Sequence, residues 1–360
     1  MSVVDETPRG QREPFNPRKV SPSRINSFLA CGVAFKMNYI DRLPAQQSGS
    51  AALFGSVAHL GLERWGPDRS QHLPTLMREA WRDYTIEDHK VIYLFLKEYV
   101  GLSAEARDKE QEIRDAWAAR GKESKAPRMT KEWKESRIGR KLRELQSDWF
   151  PRLDRESFYR FTEFDPLPNL YDESMVVAER YEKRFHRNPA PLMTEFHLTE
   201  VWRGFQFDAY IDNVEPVLDD NGELIALLIL DYKSYKQPPP AMKDWRQVVM
   251  YDAGLRQLVE RGAVSLPTDI PWYIGIDFIR WTESWKDEDG KPFPPRKLWR
   301  VSEADYERLE SELSQYARAI ENEIFLPAEK GRKPDYCDFP ENCCLRNCTA
   351  AGGGLTEVVL

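Results

Sequence analysis

The segment Leu224–Lys233, LIALLILDYK, runs seven apolar residues into Asp231, Tyr232 and Lys233. A continuously apolar strand is buried on both faces, so charged residues at its end cost free energy unless they serve a purpose. Side chains alternate along a strand, which puts Asp231 and Lys233 on one face and Tyr232 on the other. One strand end then offers an oxygen ligand for a hard cation with an ammonium beside it. Upstream, FDAYIDNV carries Asp212 in an alternating stretch, and Asp219-Asp220-Asn221-Gly222 between the two segments is a hairpin signal. Paired through that turn, Asp212 and Asp231 lie side by side. Two ionised carboxylates so placed repel unless a divalent cation sits between them, and Mg²⁺ or Mn²⁺ suits such oxygen ligands.

Other candidates surround this pair. In QVVMY, Gln247 and Tyr251 are one helical turn apart and share a face. In GSVAH, His59 stands on an expected helix with Glu63 one turn later. Glu179 and Glu182, in AERYEKRF, are weaker candidates for an outer carboxylate. Taken singly, each has an ordinary structural explanation, since a D-Y-K can close a strand and a histidine can fill a core.

Five cysteines are present. Cys337, Cys343, Cys344 and Cys348 crowd into DYCDFPENCCLRNC, whereas Cys31 lies far upstream. In a reducing compartment, thiols grouped this way point to a metal or iron–sulfur site rather than to disulfides.

In chain order, His59, Asp212, Asp231-x-Lys233 and Gln247-x-x-x-Tyr251 resemble the RecB-type branch of the PD-(D/E)XK nucleases. That branch includes the nuclease domains of bacterial recombination helicases, the small CRISPR-associated exonucleases and stand-alone phage exonucleases. Ser21-Pro-Ser-Arg24-x-x-x-Phe28-x-x-Cys31 is similar to the family's opening helix, and the resemblance covers about 21–65 and 176–348. It implies an α/β fold with a restriction-endonuclease-like core, a mixed sheet flanked by helices. It also implies a DNA exonuclease dependent on Mg or Mn, with His59, Asp212 and Asp231 holding the ion. Lys233 would position or activate the water and stabilise developing charge, while Gln247 and Tyr251 orient Lys233 or contact the strand. In iron–sulfur members the first cysteine joins three near the C-terminus around a [4Fe–4S] cluster. Carried over, the ligands are Cys31, Cys337, Cys343 and Cys348, with zinc as the alternative metal.

The chain departs from the family pattern in places. Gly32 stands where Pro usually follows the first cysteine, and Ala209 where Gly usually precedes the first catalytic Asp. Pro334 occupies the first cysteine position of the usual C-x2-C-x5-C. The missing ligand then falls to Cys344 or Cys348, and Cys344, adjacent to Cys343, is the less able to point at the same metal. Two other readings use the same fold: a non-catalytic DNA-binding scaffold and a nuclease of CRISPR adaptation.

The elements that must position these residues can be read around them. The chain has 360 residues, 41% hydrophobic and 31% charged, with a net charge of −7. Eleven Trp, fifteen Tyr and seventeen Phe exclude low-complexity and wholly disordered classes. No apolar run approaches the roughly 18 residues of a membrane span, and MSVVDETPRGQREPFNPRKV has no secretory h-region. The expectation is a cytoplasmic protein, in a bacterial or phage-infected cell, that avoids membranes.

Residues 1–20 read as a disordered arm and 21–72 as an N-terminal helical part, with helices from about Ser23 and over Ala51–Trp65. Residues 73–175 read as a helical insertion, broken near Gly101 and from Gly121 to Pro127. The nuclease core follows at 176–326. Its strands are expected in MVVAERYEKRF, TEFHLTEVWRGFQFDAYIDNV, ELIALLILDYKSY and WYIGIDFIRW, and its helices at about Asp244–Arg261 and Ser302–Phe325, the latter capped by Ser302 and Asp305. A cysteine-cluster segment at 327–348 and a flexible tail at 349–360 complete the reading.

No P-loop pattern is present, so any unwinding falls to a helicase or recombination partner. The implied substrate is DNA with a single-stranded end, and homo-oligomeric rings are an option in this family. Between Lys122 and Arg143 there are nine Lys/Arg against three Glu. Arg128, Lys131, Lys134, Arg137 and Lys141 recur on one helical face with Trp133 and Trp149 nearby, a candidate path for single-stranded DNA.

Overall fold

The computed structural model describes residues 15–45, 48–118, 137–162, 166–239 and 245–327. Cys337, Cys343, Cys344 and Cys348 lie outside these, as do Arg128, Lys131, Trp133 and Lys134.

Alternation builds the central sheet. Strand β5 (Phe205–Leu218) buries Phe205, Phe207, Ala209 and Ile211 on one face and turns Asp208, Tyr210 and Asp212 to the other. Strand β6 (Leu224–Lys233) pairs antiparallel with β5 and parallel with β7 (Trp272–Phe278), which pairs antiparallel with β8 (Arg296–Trp299). Central position explains the apolar run of β6, where Leu227, Ile229 and Leu230 are fully buried. Strand β4 (Met193–Trp202) lies antiparallel on the other half of β5, while β2 (Ser48–Gly49) and β3 (Tyr159–Arg160) pair parallel in a separate two-stranded ladder. The turn between β5 and β6 closes on Asp219, whose Oδ1 accepts the N–H groups of Asn221 at 2.9 Å and Glu223 at 2.8 Å. Gly222 supplies the left-handed backbone there, with φ of 82°.

Helices cover both faces. Helix α8 (Trp245–Glu260) connects β6 to β7 and packs in one apolar cluster with the sheet and helix α9 (Glu303–Glu321). Ser302 and Asp305 form a reciprocal capping box at the start of α9. A second cluster gathers α3 (Ser50–Trp65), α4 (Leu73–Thr85), α5 (Lys90–Ala118), α6 (Arg137–Glu156) and α7 (Leu167–Phe185), with Tyr232 and Ile279 reaching into it from the sheet side. The result is an α/β fold with a mixed sheet between helices. No helix among the described residues is long and apolar enough to cross a membrane.

Three expectations are corrected. MVVAERYEKRF is not a strand but the end of α7, because Leu170, Tyr171, Ser174, Val177, Ala178, Tyr181 and Phe185 recur at helical spacing and all are buried. The local Val176-Val177 pair suggested a strand, and burial periodicity overrides it. Helix α5 runs through Gly101 without a break: the position is exposed and a Cβ there would meet nothing within 4 Å, so the cost is only about 1 kcal/mol. Finally, the N-terminal arm is structured before residue 21. Strand β1 (Lys19–Val20) pairs parallel with Gln206 and Phe207, and Val20 is fully buried.

Helices α1 (Pro22–Ala30) and α2 (Gly32–Phe35) meet at Cys31, whose extended backbone separates them. Gly32 N–H donates to Leu326 O at 2.7 Å, and a Cβ on Gly32 would lie 2.8 Å from Leu326 N. Proline would lack the donor and collide with that backbone, which accounts for glycine at this position.

Candidate functional site

The β5–β6 register sets Asn213 opposite Leu230 and, carried one residue further, Asp212 opposite Asp231. Both aspartates line a cleft of about 480 Å³, together with His59, Glu195, Lys233, Gln247 and Tyr251. Asp212 is 6% exposed and Asp231 1%, so their charges must be met locally. Asp212 Oδ2 accepts the backbone N–H of Tyr232 at 2.5 Å. Its Oδ1 lies 3.5 Å from His59 Nδ1, which the α3 helix carries into the cleft, and Glu195 Oε1 is 3.9 Å from the same nitrogen. Donor atoms of His59, Glu195 and Asp212 all fall within 4.8 Å of one another.

Asp231 faces a second group in the same cleft. Lys233 Nζ is 2.6 Å from Asp231 Oδ2 and donates to Gln247 Oε1 at 3.0 Å. Gln247 Nε2 donates to Asp231 Oδ1 and lies 2.5 Å from the Tyr251 hydroxyl, which in turn donates to Asp231 Oδ1 at 3.1 Å. Strand alternation puts Asp231 and Lys233 on one face, and the one-turn spacing on α8 lets Gln247 bond both while Tyr251 bonds Asp231. Tyr232, on the other face, bonds through its hydroxyl to Asn213 Nδ2 at 3.0 Å.

Charge crowding marks this cluster. Burial works against the His59 imidazolium, yet the hydrogen bond and charge of Asp212, with Glu195 and Asp231 behind it, raise its pKa to about 10. Burial pushes the Asp231 carboxyl up, and Asp212 adds to the shift; Lys233 and His59 oppose it, and the result is about 6. Glu63, one turn beyond His59, is raised by partial burial and by the Glu195 charge.

Of the three residues expected to hold an ion, His59 and Asp212 share a donor cluster, while Asp231 turns to Lys233, Gln247 and Tyr251. Glu195 was missed. Its signal lay in Arg203-Gly204, a two-residue turn with φ of 46° and 81° that joins β4 to β5. Trp202 pairs with Phe205 across it, and counting back along the ladder sets 195 against 212. Glu179 and Glu182 do not line the cleft: Glu179 is exposed on α7, and Glu182 lies 3.9 Å from His72. Trp149 is no stacking surface. It is 7% exposed and packs edge-on against Phe95 in the helical core.

The sequence profile of the PD-(D/E)XK nuclease superfamily matches residues 19–344. No curated protein matches the chain.

Proposed function

Because the chain belongs to the PD-(D/E)XK nuclease superfamily, we propose that it is a DNA exonuclease of the RecB-like branch. It uses Mg²⁺ or Mn²⁺ and acts in recombination, repair or phage DNA metabolism. One observation carries the reading: an imidazole and two carboxylates converge within 4.8 Å, with Asp231 and Lys233 in the same cleft. A nitrogen and several hard oxygens, with more negative charge than local cations balance, make a donor set suited to Mn²⁺ or Mg²⁺. His59, Glu195 and Asp212 would hold the ion, with Asp231 beside them. Held there, a divalent ion would supply Lewis-acid polarisation of the scissile phosphate and a more acidic, more nucleophilic water.

The chain's own groups supply the rest. Lys233, held between Asp231 Oδ2 and Gln247 Oε1, presents an ammonium to the charge that develops on the phosphoryl oxygens. Gln247 bonds both Asp231 and Lys233, so it fixes the amine in direction as well as place. Tyr251 closes the clasp from the helix side. Unwinding by a helicase or recombination partner, and assembly with further copies of the chain, complete this reading.

We assign Cys31, Cys337, Cys343 and Cys348 to a [4Fe–4S] cluster, with zinc as the alternative. The Gly32–Leu326 hydrogen bond is compatible with it, since it holds Leu326, eleven residues before Cys337, against the residue beside Cys31. Iron, sulfide and zinc analysis of anaerobically purified protein distinguishes the two metals. The activity itself is tested on end-labelled single- and double-stranded DNA with Mg²⁺ and Mn²⁺. Stepwise release of terminal nucleotides, lost in Asp231→Asn with the melting temperature preserved, is the expected result. Binding without cleavage in either metal would instead favour a scaffold.

A further inference from the structure

The cleft wall also carries Tyr210, one ring of an aromatic pair that the chemistry at Asp212 and Lys233 does not use. Tyr210 of β5 and His197 of β4 are direct cross-strand partners. Their rings stack with centroids 4.5 Å apart and planes 9° from parallel. Tyr210 is 54% exposed although it lines the cleft. It shares a strand face with Asp212 two residues on, which at the strand rise is about 7 Å away.

The backing ring is anchored. His197 Nε2 lies 2.9 Å from Asp208 Oδ1 and 3.3 Å from Thr199 Oγ1, and Asp208 is 3.2 Å from Lys19 Nζ. Tyr210 is therefore braced on one π-face by an imidazole that is itself held in place. Tyr210 lines the cleft together with the candidate metal ligands His59, Glu195 and Asp212. Arg24 lines the same cleft, and its guanidinium is fastened to Lys19 O at 2.9 Å, so cationic groups flank the aromatic surface. A rigid aromatic face next to a phosphate-cleaving centre, with cations nearby, is the combination that stacks a nucleobase while its backbone is neutralised.

We infer that Tyr210, backed by His197, stacks the base adjacent to the scissile phosphate, which requires that base to present an open π-face, as an unpaired or terminal base does. In a duplex each internal base already stacks on its neighbours, whereas a base in a single strand has a π-face free for the protein. Stacking on a ring reads no hydrogen-bonding edge, so the subsite accepts all four bases. This inference rests on the nuclease reading above and adds a base-binding subsite to it.

Two measurements separate the inference from its premise. The first uses the full chain carrying Asp231→Asn and a single-stranded oligonucleotide with 2-aminopurine near its end, whose fluorescence is quenched by stacking. Quenching on binding, lost when Tyr210→Ala or Tyr210→Leu is added and kept with Tyr210→Phe, supports the platform; the leucine variant retains bulk and guards against misfolding of the alanine one. Equal quenching in all four proteins overturns it, whatever the nuclease activity. The second compares kcat/KM of the otherwise unaltered chain on normal strands and on strands with an abasic terminal residue. Tyr210→Ala lowers kcat/KM on the normal strand about tenfold or more and leaves the abasic strand unchanged. An equal loss on both strands overturns the stacking role. Failure of the wild-type chain to cleave any strand overturns the nuclease reading, and the fluorescence result still stands or falls by itself.

Discussion

Glu195 faces Asp212 across the β4–β5 ladder at the one step between Met193 and Trp202 where the strands do not pair, and its backbone there has φ of 46°. A glutamate in the left-handed region costs on the order of 1–3 kcal/mol, and such strain persists where surrounding structure enforces it. Here the enforced residue brings a carboxylate to His59 and Asp212. Backbone strain and like-charge crowding thus coincide at the candidate metal centre.

Glu195→Asn relieves both, since asparagine tolerates left-handed backbone and carries no charge. In the absence of divalent ions the variant should melt about 2 °C higher than wild type. Added Mn²⁺ should then raise its melting temperature much less than it raises that of the wild type. Thermal melts with and without Mn²⁺ make the comparison. A full metal-induced rise in the variant would remove Glu195 from the ligand set.

Gln247 bonds Asp231 and Lys233 but belongs to a group apart from the His59–Glu195–Asp212 cluster. Gln247→Leu should therefore lower kcat about 10- to 100-fold while Mn²⁺ affinity stays near wild type. Lys233→Met, which deletes the cation itself, should lower kcat about 100- to 1,000-fold. Single-turnover cleavage beside calorimetric Mn²⁺ titration separates the two quantities. Weakened metal binding in Gln247→Leu would mean that the glutamine holds the ion site and not the lysine.

Short-range rules were enough to make much of this cleft legible. The Asn221-Gly222 turn pairs β5 with β6, but a one-residue register shift between Val217 and Leu218 is what sets Asp212 against Asp231, and the sequence carried no sign of it. Alternation turns Lys233 to the same face, and helical spacing gathers Gln247 and Tyr251. Glu195 depends on a second hairpin whose signal, Arg203-Gly204, is weaker than an Asn-Gly pair. The helix at Leu167–Phe185 was hidden because its β-branched pair is local, whereas the burial that decides it comes from α3 and α4. Trp149 was misassigned for a related reason: proximity to basic residues in sequence says nothing about which face of α6 packs inward. The buried ion cluster behind the cleft left no sequence trace, since Arg69, Glu215, Asp277 and Arg296 come from four separate segments.

That cluster bears on acid stability. Glu215 accepts from Arg69, from Arg296 at 2.7 Å and from Asn213 at 2.8 Å, and Arg296 also bonds Asp277 at 2.7 Å. Burial opposes the Glu215 charge, but Arg296 and Arg69 outweigh it and hold the carboxyl below its ordinary value of 4.5. A carboxylate depressed in the folded state contributes stability that is complete above about pH 4.5 and is lost as pH falls through the folded pKa. Glu215→Gln should therefore cost about 3 kcal/mol or more near neutrality, by leaving the buried Arg69 guanidinium without its anion and Arg296 with Asp277 alone. Below pH 4.5 its stability should fall less steeply than that of the wild type. Denaturant melts from pH 3 to 7 test both, and parallel curves would show that Glu215 is not the titrating group.

Arg137, Arg140 and Lys141 are exposed on α6, while Gly139, Leu145, Trp149 and Leu153 of the same helix are buried. If the exposed side guides DNA, each removed cation takes one counterion-releasing contact from the complex. Replacing all three by Ala should then flatten the slope of log K against log salt by about 2 for a single strand. Trp149→Ala acts by another route: truncating a buried ring costs about 3–5 kcal/mol of stability. Because that loss carries no charge, DNA binding by the folded fraction should keep the wild-type salt slope. An unchanged slope in the triple variant would take DNA contact away from this helix face and leave its cations as ordinary solvated residues.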